Sequence, residues 1–348
     1  MIGHHPHRTT ADFRCKLVRR LAHPGSTFSG VGASGKPGAV HHPLPPASPD
    51  VGSAARLDRA IGALVGLAVG DAVGTTLEFT RRDQMPALID MVGGGPFSLK
   101  PGQWTDDTAM ALALADSLIS NPRLDETDLM QRFVGWHRNG DYSCTGRCFD
   151  IGVTTRQALS RFERDGNPIA GATDPHTAGN GSLMRLGPVA IAGWNDVEQR
   201  HDLAERQSRT THGAKEAVDA CIAYSDLIAE AVAGSPRDAI LAPRGSGLAP
   251  SVAGVLAGSW RGKARSAIQS SGYVLHSLEA ALWCVARTGD FGSAVLLAAN
   301  LGDDADTTAA ITGQLAGALY GYESIPVAWR SKLAWHDRLV AAATALHA

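Results

Sequence analysis

The sequence has little that would commit it to a nucleic acid, a membrane or an oxidising compartment. Its 32 basic and 34 acidic residues leave a formal net charge of −2. There is no basic excess to hold a phosphate backbone and no acidic excess of the kind that keeps a tail solvated. No uninterrupted run of 18 apolar residues occurs, so no membrane span is expected. The five cysteines, Cys15, Cys144, Cys148, Cys221 and Cys284, are odd in number and form no CxxC pair. Neither a disulfide framework nor a zinc site is indicated, and the expectation is reduced thiols in a cytoplasmic protein. Aromatic residues are only 6% of the chain, against 44% hydrophobic residues and 39 glycines. A core with so few rings must be built from Ala, Leu and Val on closely approaching helices.

Residues 1–53 carry "HHPHRTT", "HPGSTFSGVGASGKPG" and "HHPLPPASPD". Such a segment cannot bury enough surface to offset the entropy of ordering it, and it reads as a disordered extension. The basic stretch "RCKLVRRLAH" is followed by no apolar run, so it does not read as a secretory signal. The pattern changes at Leu57. "LDRAIGALVGLAVGDAVG" has helical spacing of Leu57, Ile61, Leu64 and Ala68, with glycines at Gly62, Gly66, Gly70 and Gly74. An interval of four puts those glycines in one row on a helix face. Glycine weakens a helix interior by about 1 kcal/mol relative to Ala, so the row implies close packing of a neighbouring helix. "AAITGQLAGALYGY" repeats the device with Gly313, Gly317 and Gly321.

Helical patterns also cover 108–120, 126–139, 150–166, 213–234, 277–289 and 291–302. Alternating strand patterns are scarce. The expectation is one all-α domain over residues 54–348, a compact multi-helix orthogonal bundle, monomeric by default. The glycine-rich 242–254, "APRGSGLAPSVAG", is expected to be an exposed loop.

Two stretches share one grammar. "GQWTDDTAMALALA" places Thr105, Asp106 and Asp107 before an apolar helix, and "LGDDADTTAA" places Asp303, Asp304, Asp306 and Thr307 before another. Adjacent carboxylates repel, so something must compensate them. Capping of helix N–H groups is the plain explanation, but a cap needs one side chain and each stretch supplies three or four hard oxygen donors. Such donors suit magnesium, manganese or calcium rather than zinc. The glycine and distal Glu of an EF-hand are absent. If the two helix starts face each other, they form an oxygen cage for two cations. Glu78, in "GTTLEF", is a further oxygen source.

"AGNGSLMRLGPVA" is donor-rich at Gly179, Asn180, Gly181 and Ser182, and such a loop can cradle phosphate. His212 precedes a helix and reads equally as a cap or a core residue. Tyr273, beside Gly272, offers a ring for stacking on a base or for the core.

Taken together, "GLAVGDAVGTTLEF", "GQWTDDTAMALALADSL", "GRCFDIG", "GNGSLMRLGPVA", "THGAKEA", "SGYVLHSLEAALW" and "ANLGDDADTTAAITGQLAGALYG" resemble the ADP-ribosylglycohydrolase family, closest to its bacterial dinitrogenase reductase-activating glycohydrolase branch. They occur in the family's order and cover most of residues 60–321. The resemblance implies an all-α fold with two Mg²⁺ or Mn²⁺ ions held by Thr105, Asp106, Asp107, Asp304, Asp306 and Thr307. It implies catalytic parts for Glu78, Asp150 and Asp107, with Asp303 beside the ligands. It places Gly181, Ser182 and Leu183 in a ribose and phosphate loop, and His212 and Tyr273 along the ADP-ribose cleft.

The activity so implied is hydrolysis that removes ADP-ribose from a modified side chain, arginine foremost. The partner would be an ADP-ribosylated protein or small molecule, with no nucleic acid and no membrane. Two alternatives stand beside it. One is a different binuclear-metal hydrolase of ADP-ribose-like or phosphate-containing molecules. The other is a non-catalytic ADP-ribose-binding relative, which would be expected to lose metal ligands; here every cluster position is filled.

Overall fold

The computed structural model describes residues 52–348; the extension expected over residues 1–53 lies, up to residue 51, outside the described residues. Among the described residues there are fourteen α-helices and only three isolated β-bridges. In chain order the first seven are α1 (Ser53–Gly74), α2 (Asp106–Ser120), α3 (Glu126–Asn139), α4 (Val153–Asp165), α5 (Gly187–Ala192), α6 (Val197–Thr211) and α7 (Lys215–Ala233). The rest are α8 (Arg237–Ile240), α9 (Pro250–Leu256), α10 (Val274–Arg287), α11 (Phe291–Ala299), α12 (Ala305–Tyr320), α13 (Val327–Arg330) and α14 (His336–His347).

The two glycine rows meet. A Cβ added at Gly62 would lie 2.2 Å from the Gly317 carbonyl oxygen, one at Gly66 2.4 Å from that of Gly313, and one at Gly70 2.1 Å from that of Ala309. At Gly74 it would lie 2.4 Å from the Ala305 oxygen. Numbers rise along α1 as they fall along α12, so the helices run antiparallel, backbone on backbone. The nearest obstacle is main chain in every case, so no side-chain rotation would admit a methyl group. The contact places the end of α1 beside the start of α12.

The other helices wrap this pair. Helices α7, α10 and α11 pack on α12, and α2, α5 and α14 pack on α1. The few rings are used inside: Trp104, Phe133, Trp136, Tyr224 and Phe291 are fully buried, and the Tyr224 hydroxyl donates to the Ile311 carbonyl at 2.6 Å. With the turn after it, α1 is long and apolar enough to cross a membrane, at mean hydropathy 1.6, but 89% of that window is buried inside the protein. Its apolarity serves the helix pair.

Local signals account for several boundaries. Asp125 caps α3 by accepting from Thr127 N and Asp128 N, and Gly140 ends that helix at φ 78°. Gly166 and Gly234 end α4 and α7 at φ 70° and 99°. Helices α5, α8, α13 and α14 lie outside the expected helical stretches, and two further segments differ from expectation. Helix α6 has no continuous apolar stripe, because its buried face carries Arg200, Gln207, Ser208, Thr210 and Thr211. The end of the supposed loop 242–254 belongs to α9, whose Pro250 stands in the first turn, where its missing N–H costs nothing. Val252 is buried there.

Candidate metal centre and substrate cleft

A cleft of about 340 Å³ opens where α1, α2 and α12 begin or end. Glu78 and Phe79 line it from the turn after α1, Asp106 from the start of α2, and Asp304, Asp306 and Thr307 from the start of α12. Asp150 adds a further carboxylate; Gly179, Asn180, Gly181 and His212 form the other side. No Lys or Arg is among the lining residues.

The capping explanation for the acidic clusters can be tested atom by atom. At α2, the N-cap residue Thr105 makes no side-chain capping bond. Asp71 caps the helix instead, reaching across from α1. It accepts from Thr105 N at 2.8 Å and Thr108 N at 3.0 Å, and from both hydroxyls at 2.8 and 2.6 Å. At α12, the N-cap residue Asp304 makes no capping bond either. There Glu78 Oε2 accepts from Ala305 N at 2.7 Å and Asp306 N at 3.2 Å. Both helix starts are therefore capped mainly by residues brought by α1 and the turn after it. Of the cluster carboxylates only Asp306 takes a first-turn N–H, that of Thr307 through Oδ1 at 2.7 Å, and the rest are left for another task.

The clusters converge. Thr105 Oγ1 lies 3.2 Å from Asp306 Oδ2 and 3.4 Å from Asp107 Oδ2. Thr307 Oγ1 lies 3.4 Å from Asp107 Oδ2. Carboxylate oxygens of Asp71, Asp107 and Asp306 fall within 4.8 Å of one another, as do those of Glu78, Asp150 and Asp306. Asp306 is common to both groups. Asp304 Oδ2 is held by the Asn180 amide at 2.6 Å, and that amide also reaches Ser277 Oγ at 2.8 Å.

Burial, and then the charge of Asp306, pushes Asp71 and Asp304 up to about 7 and Asp150 up to about 9. Burial first also drives Glu78, Asp106 and Asp107 well above the usual carboxylate range; the next cause is Asp306 for Glu78, Asp150 for Asp106 and Asp71 for Asp107. Without a positive partner this set must hold protons. Asp107 Oδ1 is buried with no hydrogen-bond partner, which is what an oxygen meant for a cation looks like. The donors are all carboxylates and hydroxyls, so the residues fit a hard divalent cation.

Three non-glycine residues near the cleft have left-handed backbones: Phe79 (φ 58°), Asp150 (φ 58°) and Asp303 (φ 57°). Such conformations persist only when the surroundings hold them. Phe79 N donates to Asp303 O and Asp303 N donates to Thr80 O, both at 2.8 Å. Arg82 closes the same turn by donating to Leu301 O at 2.9 Å and Ile268 O at 2.6 Å.

Other predicted residues are distributed unevenly. Thr105 and Asp107 lie beneath the cleft rather than on it, and Asp107 is fully buried, facing the Thr105 and Thr307 hydroxyls and the carboxylates of Asp71 and Asp306. Gly181 lines the cleft, whereas Ser182 and Leu183 are buried behind it. Ser182 Oγ accepts from Ser208 Oγ at 2.9 Å. The peptide N–H groups of Gly181 and Ser182 have no partner among the described residues. Burial lowers His212 to about 3. Tyr273 is not in the lining; its hydroxyl donates to Glu216 Oε2 at 2.6 Å. Asp71 was missed from sequence, although it is the only charged residue between Arg59 and Glu78, a lone carboxylate inside an apolar helix.

Residues 52–348 match the family model described as ADP-ribosylglycohydrolase. The chain is 49% identical over 283 residues to ADP-ribosylarginine hydrolase Tri1 of Serratia proteamaculans, covering 81% of this chain and 77% of that protein. It is 35% identical over 280 residues to the ADP-ribosyl-[dinitrogen reductase] glycohydrolase of Rhodospirillum rubrum, covering 79% and 90%. A solved structure described as an ADP-ribosylglycohydrolase-related protein complex matches with a TM-score of 0.76 and 42% identity, over 84% of this chain and 98% of that one.

Proposed function

The chain belongs to the ADP-ribosylglycohydrolase family, and from that premise we propose that it removes ADP-ribose from modified arginine, cleaving the bond between ribose C1 and the guanidine nitrogen. The observation that carries the reading is the capping of both acidic helix starts by Asp71 and Glu78, which leaves most of the clustered carboxylate oxygens with no capping task. Arginine is supported by the 49% identity to an ADP-ribosylarginine hydrolase. It is also supported by a cleft lined with carboxylates and free of Lys and Arg, which suits a cationic guanidinium.

Thr105, Asp106, Asp107, Asp304, Asp306 and Thr307 would hold the magnesium or manganese, two ions in this reading. When bound, such ions supply fixed positive charge and polarisation at the ribose hydroxyls. The chain's own residues do the rest. Asn180 holds Asp304 in one orientation through its amide. Glu78 and Asp150 are the carboxyl groups at the cleft available to activate water and to protonate the departing nitrogen. Their pKa values are set by burial and by Asp306, so proton transfer is coupled to the charge state of the cluster. The free N–H group of Gly181, on the cleft edge, suits the diphosphate. Holding both ends of the substrate converts binding into orientation of the scissile bond.

The test is a panel of ADP-ribosyl-arginine, ADP-ribosyl-serine peptide and a chromogenic phosphomonoester, with Mg²⁺ present. Release of ADP-ribose from the arginine substrate is expected. Turnover of the phosphomonoester with ADP-ribosyl-arginine untouched would overturn the reading, and tight ADP-ribose binding without any turnover would favour the non-catalytic alternative.

A further inference from the structure

Arg185 is fully buried and forms no salt bridge among the described residues. Its guanidinium lies against the Phe133 ring at 4.7 Å. Its Nε donates to Gln207 Oε1 at 3.0 Å, and Nη2 donates to Gln207 O at 2.8 Å, Thr210 Oγ1 at 3.3 Å and Thr211 Oγ1 at 2.9 Å. Thr211 Oγ1 in turn lies 2.8 Å from His212 Nδ1. The chain therefore runs from a buried cation through one hydroxyl to a ring on the cleft.

Hydrogen-bond chemistry gives that chain a direction. A guanidinium can only donate, so Thr211 Oγ1 is an acceptor toward Arg185. The hydroxyl still has its own proton to give, and His212 Nδ1 is the acceptor it meets. Were Nδ1 protonated, the Thr211 hydroxyl proton would be left without a partner in a fully buried site. That disfavours the Nδ1–H form by about tenfold or more. The doubly protonated ring is disfavoured as well, because burial and then the Arg185 charge oppose it. The proton of the neutral ring therefore sits on Nε2.

Nε2 is on the cleft side. A Cβ at Gly181 would lie 3.1 Å from it and 2.7 Å from Cε1, and one at Gly179 would lie 3.3 Å from it. A side chain at 181 would therefore press on the ring. We propose that Arg185 and Thr211 are positioning residues that fix His212 as its Nε2–H tautomer, so that the ring presents a permanent, uncharged donor to an ADP-ribose oxygen at the Gly179–Gly181 edge. The tautomer stands on the hydrogen bonds alone; the identity of the ligand rests on the hydrolase reading.

Long-range ¹H–¹⁵N spectra of histidine-labelled protein test this directly, with the His212 signals assigned by their loss in His212→Gln. Wild-type protein is expected to show protonated Nε2 and bare Nδ1 near neutral pH. Thr211→Val keeps the shape but removes the hydroxyl; it should mix the tautomers and weaken ADP-ribose binding about tenfold, and Thr211→Ser should restore both. A proton on Nδ1 in the wild type overturns the proposal, and so does unchanged ADP-ribose affinity in a folded Thr211→Val. If Thr211→Val does not fold, the wild-type spectrum still decides. Wild-type protein with the expected tautomer and ADP-ribose affinity but no release of ADP-ribose from arginine would support this proposal and overturn the hydrolase reading alone.

Discussion

Replacing glycine by alanine usually helps a helix by about 1 kcal/mol, so a loss of stability in the α1–α12 rows would be informative. At Gly317 the new Cβ would stand 1.9 Å from the Gly62 carbonyl oxygen and 2.6 Å from its carbon. Ordinary contact is 3.4 Å or more, so the helices must part locally by on the order of 1 Å, which forfeits roughly a quarter to a half of each dispersion contact. Overpacking typically costs 1–3 kcal/mol; against rigid backbone the cost belongs at or just above the top of that range. After the propensity gain, the net loss is about 2–3 kcal/mol, or roughly 3–5 °C in melting midpoint for a domain of this size. Gly74→Ala makes the same change beside the site, with Cβ 2.5 Å from the Asp306 Cα. It should cost a similar amount of stability but also displace Asp306, and a misplacement of about 1 Å can cost about a hundredfold in rate. Melting curves and kcat/KM well below the midpoint separate the two effects. Gly317→Ala should stay within severalfold of wild-type turnover. A Gly317→Ala protein that melts at or above the wild type would refute the backbone-on-backbone account.

Two further predictions concern charge. Asp304→Asn should cut ADP-ribosyl-arginine hydrolysis by orders of magnitude with little effect on the metal-free melt, because Asp304 caps nothing. Asp303→Asn is the control: its side chain is exposed and Asn tolerates its left-handed backbone, so turnover near wild type is expected, and equal losses in both variants would remove the ligand assignment. In chelator, the folded state holds protons on Asp71, Asp304 and Asp150 up to about pH 7–9, whereas the unfolded chain releases them near 4. The folded state thus binds more protons in that window, and stability should fall as pH rises from 5 to 9. Saturating Mg²⁺ should flatten or reverse the fall, since cations compete with those protons; parallel melting curves with and without metal would contradict this.

Much of the fold was legible because the small-residue rows announce themselves by their interval of four. Helix α6 was not, since its inward face is polar and its partners, such as Arg185 and Ser182, come from a distant loop. At the candidate site, the two acidic helix starts stood out as a repeated pattern. Their capping from a distance did not, because Asp71 and Glu78 act on N–H groups 34 and 227 residues away. Nor could sequence tell which residues of the 179–183 loop face the cleft and which face the core.

The most direct test of the central claim is hydrolysis of ADP-ribosyl-arginine by protein exhaustively stripped with chelator and then given back Mg²⁺ or Mn²⁺. The account predicts that release of ADP-ribose is lost on stripping and returns on addition of either ion. Full activity in the stripped protein would contradict it.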